Sequence, residues 1–380
     1  MRSFYFPYCL LLVVAVVVLS CRTEVVVNNG EQEEAGYRVN GNLSGFYLLN
    51  EGSMGSNKAT LDFYDFATAI YHRNIYAQRN PNVPKELGDV GNDLKIYGSR
   101  LYAVINCSNK IEVMDAQTCK RIGQIDIPNC RYLRFSGQYG YITSYAGPVQ
   151  ITPQYSQVGY VARFDTATLE LKAQCLVGFQ PDELEIVGDK MYVANSGGYM
   201  VPNYENTISV IDLGSFTELK RIPVAVNLHH LRADNHGQLW VSSRGDYYGN
   251  ASRLYCIDTA TDEVVDSLQV GVSDFWLDDD RLYVYSNEWS YLDMSDAMTY
   301  AIVDVVKHEV LTRNFITDGT EKDIQKPYGL CVNPINKDIY ITDAKMYVTP
   351  GTLFCYSADG VLQWKVRTGD IPAHFSFLGK

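Results

Sequence analysis

Apolar and polar residues alternate along short runs of this chain, and the runs come in sets of four. The clearest run is a phrase in which an alternating strand ends in an aspartate and a small or hydroxyl residue follows three places later. It reads Leu61-Asp-Phe-Tyr-Asp65-Phe-Ala-Thr68, Ile111-Glu-Val-Met-Asp115-Ala-Gln-Thr118 and Val161-Ala-Arg-Phe-Asp165-Thr-Ala-Thr168. It continues as Ile208-Ser-Val-Ile-Asp212-Leu-Gly-Ser215 and Leu254-Tyr-Cys-Ile-Asp258-Thr-Ala-Thr261. Two degenerate copies, Ala301-Ile-Val-Asp304 and Leu353-Phe-Cys-Tyr-Ser357-Ala-Asp-Gly360, close the series. Asp65, Asp115, Asp165, Asp212, Asp258 and Asp304 recur at intervals of 46 to 50 residues. Period-2 patterning at that repeat length, with no helical segment, predicts the blades of a β-propeller. The aspartate has a local task, because its carboxylate accepts from backbone N–H groups two residues on and closes the turn to the next strand.

Each repeat opens on an apolar-x-apolar strand, as in Leu94-x-Ile96, Leu133-x-Phe135, Leu184-x-Ile186, Leu231-x-Ala233, Phe275-x-Leu277 and Leu330-x-Val332. A second strand follows, for example Arg100–Val104, Lys190–Ala194 or Gln238–Ser242, then the aspartate phrase, then a fourth strand such as Lys120–Ile125 or Val264–Gln269. The first repeat lacks its opening strand, since Gly45–Leu49 reads as a second strand, and the chain ends in Pro372-Ala-His-Phe375-Ser-Phe377. The fold predicted is therefore all-β, a seven-bladed propeller over residues 45–380, closed by pairing of the C-terminal strand into the first blade. Such closure leaves the ring without a free seam between its ends.

This strand order puts two sets of connections on one face: those from second to third strand, and those leading into each innermost strand. The opposite face has short turns such as Tyr97-Gly98-Ser99 and Asp278-Asp279-Asp280. The long insertions all fall on the first face, at 50–60, 145–160, 195–206, 243–252, 287–300 and 343–351. Long connections confined to one face mark a binding surface. They are rich in tyrosine, of which the chain has 29, a residue that offers a flat apolar ring and one hydroxyl at low entropic cost. The candidate ligand-binding residues are Arg131, Tyr132, Tyr145, Asp182, Asn195, Tyr199, His230, Arg244, Tyr247, Tyr248, Trp276, Asn287, Trp289, Tyr328 and His374.

The first twenty residues stand outside this pattern. Arg2 precedes an apolar run from Leu10 to Leu19, too short to span a bilayer, and Ser20 is a small residue at a cleavage position, so residues 1–20 read as a signal peptide. The run ends Val18-Leu19-Ser20-Cys21, which resembles a bacterial lipobox and implies that Cys21 is lipidated. Residues 21–44 are polar and lack alternation over most of their length, and read as a flexible tether. The expectation is a protein anchored to a membrane but not crossing it. The net charge of −12, with Lys and Arg scattered singly, argues against a nucleic-acid partner.

Of the nine cysteines, Cys9 lies in the signal and Cys21 at the anchor. None of the others forms a Cys-x-x-Cys pair. Cys256, Cys331 and Cys355 fall in apolar strands and read as buried thiols, whereas Cys107 and Cys130 sit at the same end of neighbouring blades, where a disulfide is open to them. His229 and His230 are adjacent on a strand and so are expected on opposite faces, one packed and one at the channel mouth, which argues against joint chelation. Neither a Gly-x-Ser-x-Gly elbow nor a His-Glu-x-x-His motif is present, so no catalytic residue is assigned and the expectation is a non-enzyme with no required cofactor. Glu51, Asn106, Asn195, Asn287 and Asp343 end second strands and form an oxygen-rich ring that could hold calcium. Gluconolactonase-like propellers use such a ring, so a calcium-dependent lactonase or lyase is one alternative. Asn and Asp as caps of strand ends is the plainer account. A protein-interaction scaffold is another alternative.

The phrase Ile257-Asp-Thr-Ala-Thr261, followed by a fourth strand ending Gln269-Val-Gly271, resembles the YVTN/YncE-type seven-bladed propellers along essentially the whole mature chain. A lipidated form with long tyrosine-rich loops is also similar to the BtuG-type cobalamin-binding surface lipoproteins of gut Bacteroidetes. That resemblance implies an outer-membrane, surface-exposed lipoprotein. Its implied ligand is cobalamin or a related corrinoid, and its implied partner a TonB-dependent outer-membrane transporter.

Overall fold

A computed structural model describes residues 31–38, 41–149, 151, 153–290 and 295–380, with the backbone alone described at 153, 288–290 and 295–297. The signal peptide and Cys21 lie outside the described residues. The described residues form seven antiparallel sheets, six of four strands and one of five. Inner strands begin blades 2 to 7 at Gly91, Cys130, Pro181, Leu228, Asp274 and Pro327. In blade 1 the inner strand is Pro372–Gly379, paired antiparallel to Leu43–Asn50 with Phe46 opposite Phe377 and Leu48 opposite Phe375. The expected closure is thus present.

Phe46 is fully buried at this seam, with Tyr64, Phe66, Tyr340, Phe375 and Phe377 all within 5.8 Å of it, ring centre to ring centre. These edge-on contacts join the two ends of the chain to blade 7, and each is worth about 0.5–1.5 kcal/mol beyond burial. Part of the segment expected as tether joins the same blade. Gln32–Glu34 forms a fifth, outermost strand against Ile70–His72, and Glu33 pairs with Arg73 at 3.1 Å. Farther on, Arg38 pairs with Asp338 of blade 7 at 2.7 Å.

The repeated aspartate closes its turn as expected. Asp165 accepts from the backbone N–H groups of Ala167 and Thr168 at 2.9 and 2.8 Å, and Asp65, Asp115, Asp212, Asp258 and Asp304 do likewise. Hydrogen bonds from Thr118 and Thr168 hold the carboxyls of Asp115 and Asp165 below the usual range. Four residues past each aspartate the backbone turns left-handed, at Ala69, Cys119, Leu169, Phe216, Asp262 and His308.

Seven cysteines are described, and all are free thiols. The disulfide left open between Cys107 and Cys130 is not formed: Cys130 is buried and directs its Sγ at the carbonyl of Lys110, 3.4 Å away. Cys256, Cys331 and Cys355 are buried as expected, and burial pushes the Cys256 thiol up to about 12. Within the 287–300 insertion, the described residues 287–290 and 295–300 are paired strand rather than irregular loop. They extend blade 6 as a hairpin whose strands stay in register from Arg281–Asp304 out to Ser290–Ser295.

Candidate functional site

The inner strands run from the wide face downwards, and six of the seven start with an irregularity. Two residues of the inner strand oppose one of its neighbour at Arg131–Tyr132, Asp182–Glu183, His229–His230 and Tyr328–Gly329, with similar shifts at Asn92 and Ala373. A β-bulge of this kind re-aims side chains that simple alternation would send to opposite faces. In three blades a hydroxyl on the second strand supports the bulge by accepting from the second bulged residue. Thr143 accepts from Tyr132 N–H at 3.0 Å, Ser242 from His230 N–H at 3.0 Å and Thr342 from Gly329 N–H at 2.7 Å. Just before five of these strands the chain is left-handed, at Val90, Asn129, Gln180, Asn227 and Ile371.

The consequence is a cavity of about 350 Å³ at the channel mouth. One wall, from blades 3 to 5, carries Arg131, Tyr132, His229, His230 and Arg244. Asp182 lies fully buried behind it, taking Tyr145 Oη–H at 2.6 Å and Arg131 at 3.4 Å on one oxygen, with Arg244 at 3.7 Å from the other. The Arg131 guanidinium also rests over the Tyr145 ring at 4.9 Å, a cation–π contact. The opposite wall is acidic. There Glu51 accepts from Tyr328 Oη–H at 2.8 Å and pairs with His374 at 3.0 Å, and Asp274 lies 3.5 Å from His230 Nε2.

Below the cavity the channel is filled by charge. Glu183 contacts Arg134 at 2.6 Å, Arg232, and His230 Nδ1 at 2.8 Å, while Asp93 takes Lys95 at 2.6 Å. Burial works to raise the Glu183 pKa, but Arg232, Arg134 and His230 outweigh it and hold the carboxyl well below its usual range. Around the mouth stand Tyr199, Tyr247 and Tyr347, which are 49%, 38% and 38% exposed and so retain free ring surface.

A family model described as "Domain of unknown function (DUF5074)" matches residues 44–354, most of the described propeller. The chain belongs to the DUF5074 family. No curated protein matches it. Its fold is similar to a solved structure of Kuenenia stuttgartiensis hydrazine synthase, with a TM-score of 0.54 and 18% identity over 70% of this chain and 76% of that one. That likeness concerns the fold alone.

In this DUF5074 chain the cavity gathers nine of the fifteen candidates: Arg131, Tyr132, Tyr199, His230, Arg244, Tyr247, Asn287, Tyr328 and His374. Tyr145 and Asp182 lie behind the wall rather than on it. Three are placed elsewhere. Asn195 is fully buried and donates to Thr207 and Ser209 at 3.1 and 2.9 Å, a support of the strand end. Tyr248 projects outwards beside Tyr247, and Trp276 sits farther down its strand against Phe377, 6.4 Å between rings. Trp289 falls in the blade 6 hairpin, and its side chain is outside the described residues.

The histidine pair departs from expectation. Both residues are buried, both line the cavity, and their ring centres are 3.6 Å apart, because the bulge turns them to the same side. The oxygen-rich ring is also largely committed. Asn106 donates to Asn129 and to the Cys130 carbonyl at 2.6 and 2.9 Å, and Asp343 accepts from the Lys326 and Lys345 N–H groups at 2.8 and 2.9 Å. Among the described residues no three or more His, Cys, Asp or Glu side chains are grouped to hold a metal. Asn92, Ser252, Ser273 and Tyr285 also line the cavity and were not among the candidates. Asn92, with its bulge, had no signal in strand alternation.

Proposed function

We propose that this chain is a membrane-anchored capture protein that binds a large, partly polar small molecule at the channel mouth. A corrinoid such as cobalamin is the ligand we put forward. The observation that carries the reading is the mouth itself: a polar cavity of about 350 Å³ under a rim of three partly exposed tyrosines. A drug-sized ligand fits within such a volume, but a corrinoid is larger, so only part of it would enter. The flat macrocycle would rest on Tyr199, Tyr247 and Tyr347, and its amide arms would meet Glu51, Asn287, Tyr328 and Arg244. Ring contact supplies burial, and the polar walls supply orientation.

The lipid on Cys21 would hold the propeller at the outer membrane, with a TonB-dependent transporter as the receiving partner. In this reading the protein binds without converting its ligand and needs no cofactor. Calorimetric titration of the full chain in detergent with cyanocobalamin tests it. One-to-one binding, weakened roughly tenfold or more by Tyr199→Ala or Tyr247→Ala, is expected, equivalent to about 1.4 kcal/mol per substitution. No heat at micromolar protein would remove the corrinoid. Calcium-dependent melting would then favour a lactonase-type enzyme, and binding of a protein through the tyrosine rim would favour a scaffold.

A further inference from the structure

The two walls of the cavity differ in charge balance. Arg131 and Arg244 both line it, and an arginine keeps its charge at any pH a protein survives. Among the described residues Asp182 is the one carboxylate paired with either of them, at 3.4 and 3.7 Å, so two guanidiniums share a single negative charge. His229 does not change that balance on the negative side. Its Nε2 faces Arg244 at 2.5 Å and the Tyr132 hydroxyl at 2.9 Å. Arginine only donates, so Nε2 is the acceptor and the neutral ring carries its proton on Nδ1. That Nδ1–H and the Nε–H of Arg131 are both buried with no hydrogen-bond partner in the protein, and so is Asp182 Oδ2, which has Arg244 at 3.7 Å. What the wall turns towards the cavity is therefore two guanidiniums with one carboxylate between them, an excess of positive charge that favours a group able to accept.

We infer that the Arg131–Arg244–His229 wall is a seat for an anionic oxygen group, a phosphate or carboxylate, carried by the ligand that the mouth captures. The inference rests on the capture reading above and names the part of the ligand that enters the cavity. Planar guanidiniums match the paired oxygens of both groups, and Arg244 approaches from a different blade than Arg131, so the anion would be held from two sides. The acidic wall of Glu51 and Asp274 opposes any other placement of the anion and fixes the direction in which the ligand enters. A corrinoid with its nucleotide loop carries a phosphodiester that meets this description. Cobinamide, which lacks the loop, does not.

The test uses inorganic phosphate as the probe, with the full chain in detergent at constant ionic strength and chloride as reference. Phosphate is expected to raise the melting temperature of the unmodified chain and to compete with cyanocobalamin. Arg244→Gln should abolish both effects and weaken cyanocobalamin at least tenfold, and should weaken cobinamide, which keeps the amide arms but lacks the phosphodiester, by a clearly smaller factor. Arg244→Lys, which keeps the charge, should restore part of the phosphate effect and so separates loss of the seat from loss of the fold. Cyanocobalamin binding that ignores both phosphate and Arg244→Gln would overturn the seat and leave capture standing. A phosphate effect without any corrinoid binding would support the seat and remove the corrinoid. A phosphate effect that persists in Arg244→Gln would overturn the placement.

Discussion

His229 and His230 are neighbours in sequence, yet their rings face each other 3.6 Å apart on the same side of the inner strand of blade 5. Ser242 makes this arrangement possible, because its hydroxyl accepts the His230 N–H that the bulge withdraws from the strand ladder. Ser242 is itself fully buried. Ser242→Ala should therefore cost about 1–3 kcal/mol, the penalty for a buried amide left without a partner. Ser242→Thr, which keeps the hydroxyl, should lose much less. Urea denaturation of the two variants checks this. Equal losses would mean that the bulge does not depend on the hydroxyl.

His229 gives the protein a pH-dependent weakness. Burial first, and then the charge of Arg244, push its pKa well below the ordinary value near 6.5. Below about pH 6.5 the unfolded chain therefore takes up a proton that the folded chain refuses. Stability at this residue falls as pH drops from about 6.5, by up to about 1.4 kcal/mol per unit, until the folded pKa is reached. His229→Gln keeps an acceptor for Arg244 and cannot titrate. Melting temperatures of the parent and the variant should converge on acidification between pH 6.5 and 5, and a constant difference across that range would refute the assignment.

Much of this architecture was legible in the chain, and the reasons are local. The aspartate phrase states strand, turn and repeat within eight residues, and the alternation in Pro372–Phe377 announces the closing strand against Leu43–Asn50. Arg131, Tyr328 and His374 were legible as site residues because strand order alone puts the starts of inner strands at one end. The bulges were not legible, since the extra residue is invisible to a period-2 reading, and this hid the pairing of His229 with His230. Trp276 was misplaced because the strand order locates a residue's blade but not its depth in the channel. Asn195 looked like a site residue, although its amide is spent on Thr207 and Ser209.

Beneath the cavity, Glu183 holds three blades together through Arg134, Arg232 and His230. Glu183→Gln would leave two largely buried guanidiniums without their shared charge, Arg134 keeping Glu185 at 3.2 Å, and should cost up to about 3–5 kcal/mol. The pH dependence follows from the depressed pKa. The contribution is fully present above the unfolded value near 4.3 and is lost as pH falls towards the folded value. Urea midpoints measured from pH 7 down to pH 3 should fall for the parent and change less for the variant. A variant as stable as the parent at pH 7 would show that Glu183 does not hold these blades together.

The rim offers a prediction with opposite signs for stability and binding. Tyr247 stands at the mouth with a backbone φ of 64°, a left-handed conformation that costs an L-residue about 1–2 kcal/mol. The residue is 38% exposed, so the packing lost with its ring is partial and relief of that conformation offsets it. Glycine adopts this conformation freely at an entropic cost of about 0.5–1 kcal/mol, so Tyr247→Gly should leave stability unchanged or slightly improved. The same change removes a ring from the rim and should weaken ligand binding. Tyr248 is the control: it lies outside the cavity, and its φ is not among the positive values, so Tyr248→Gly should lower stability and leave binding alone. Melting curves and calorimetry on both variants decide the matter. If Tyr247→Gly destabilises the fold as much as Tyr248→Gly does, the left-handed tyrosine is not a strain held for the ligand but an ordinary part of the loop.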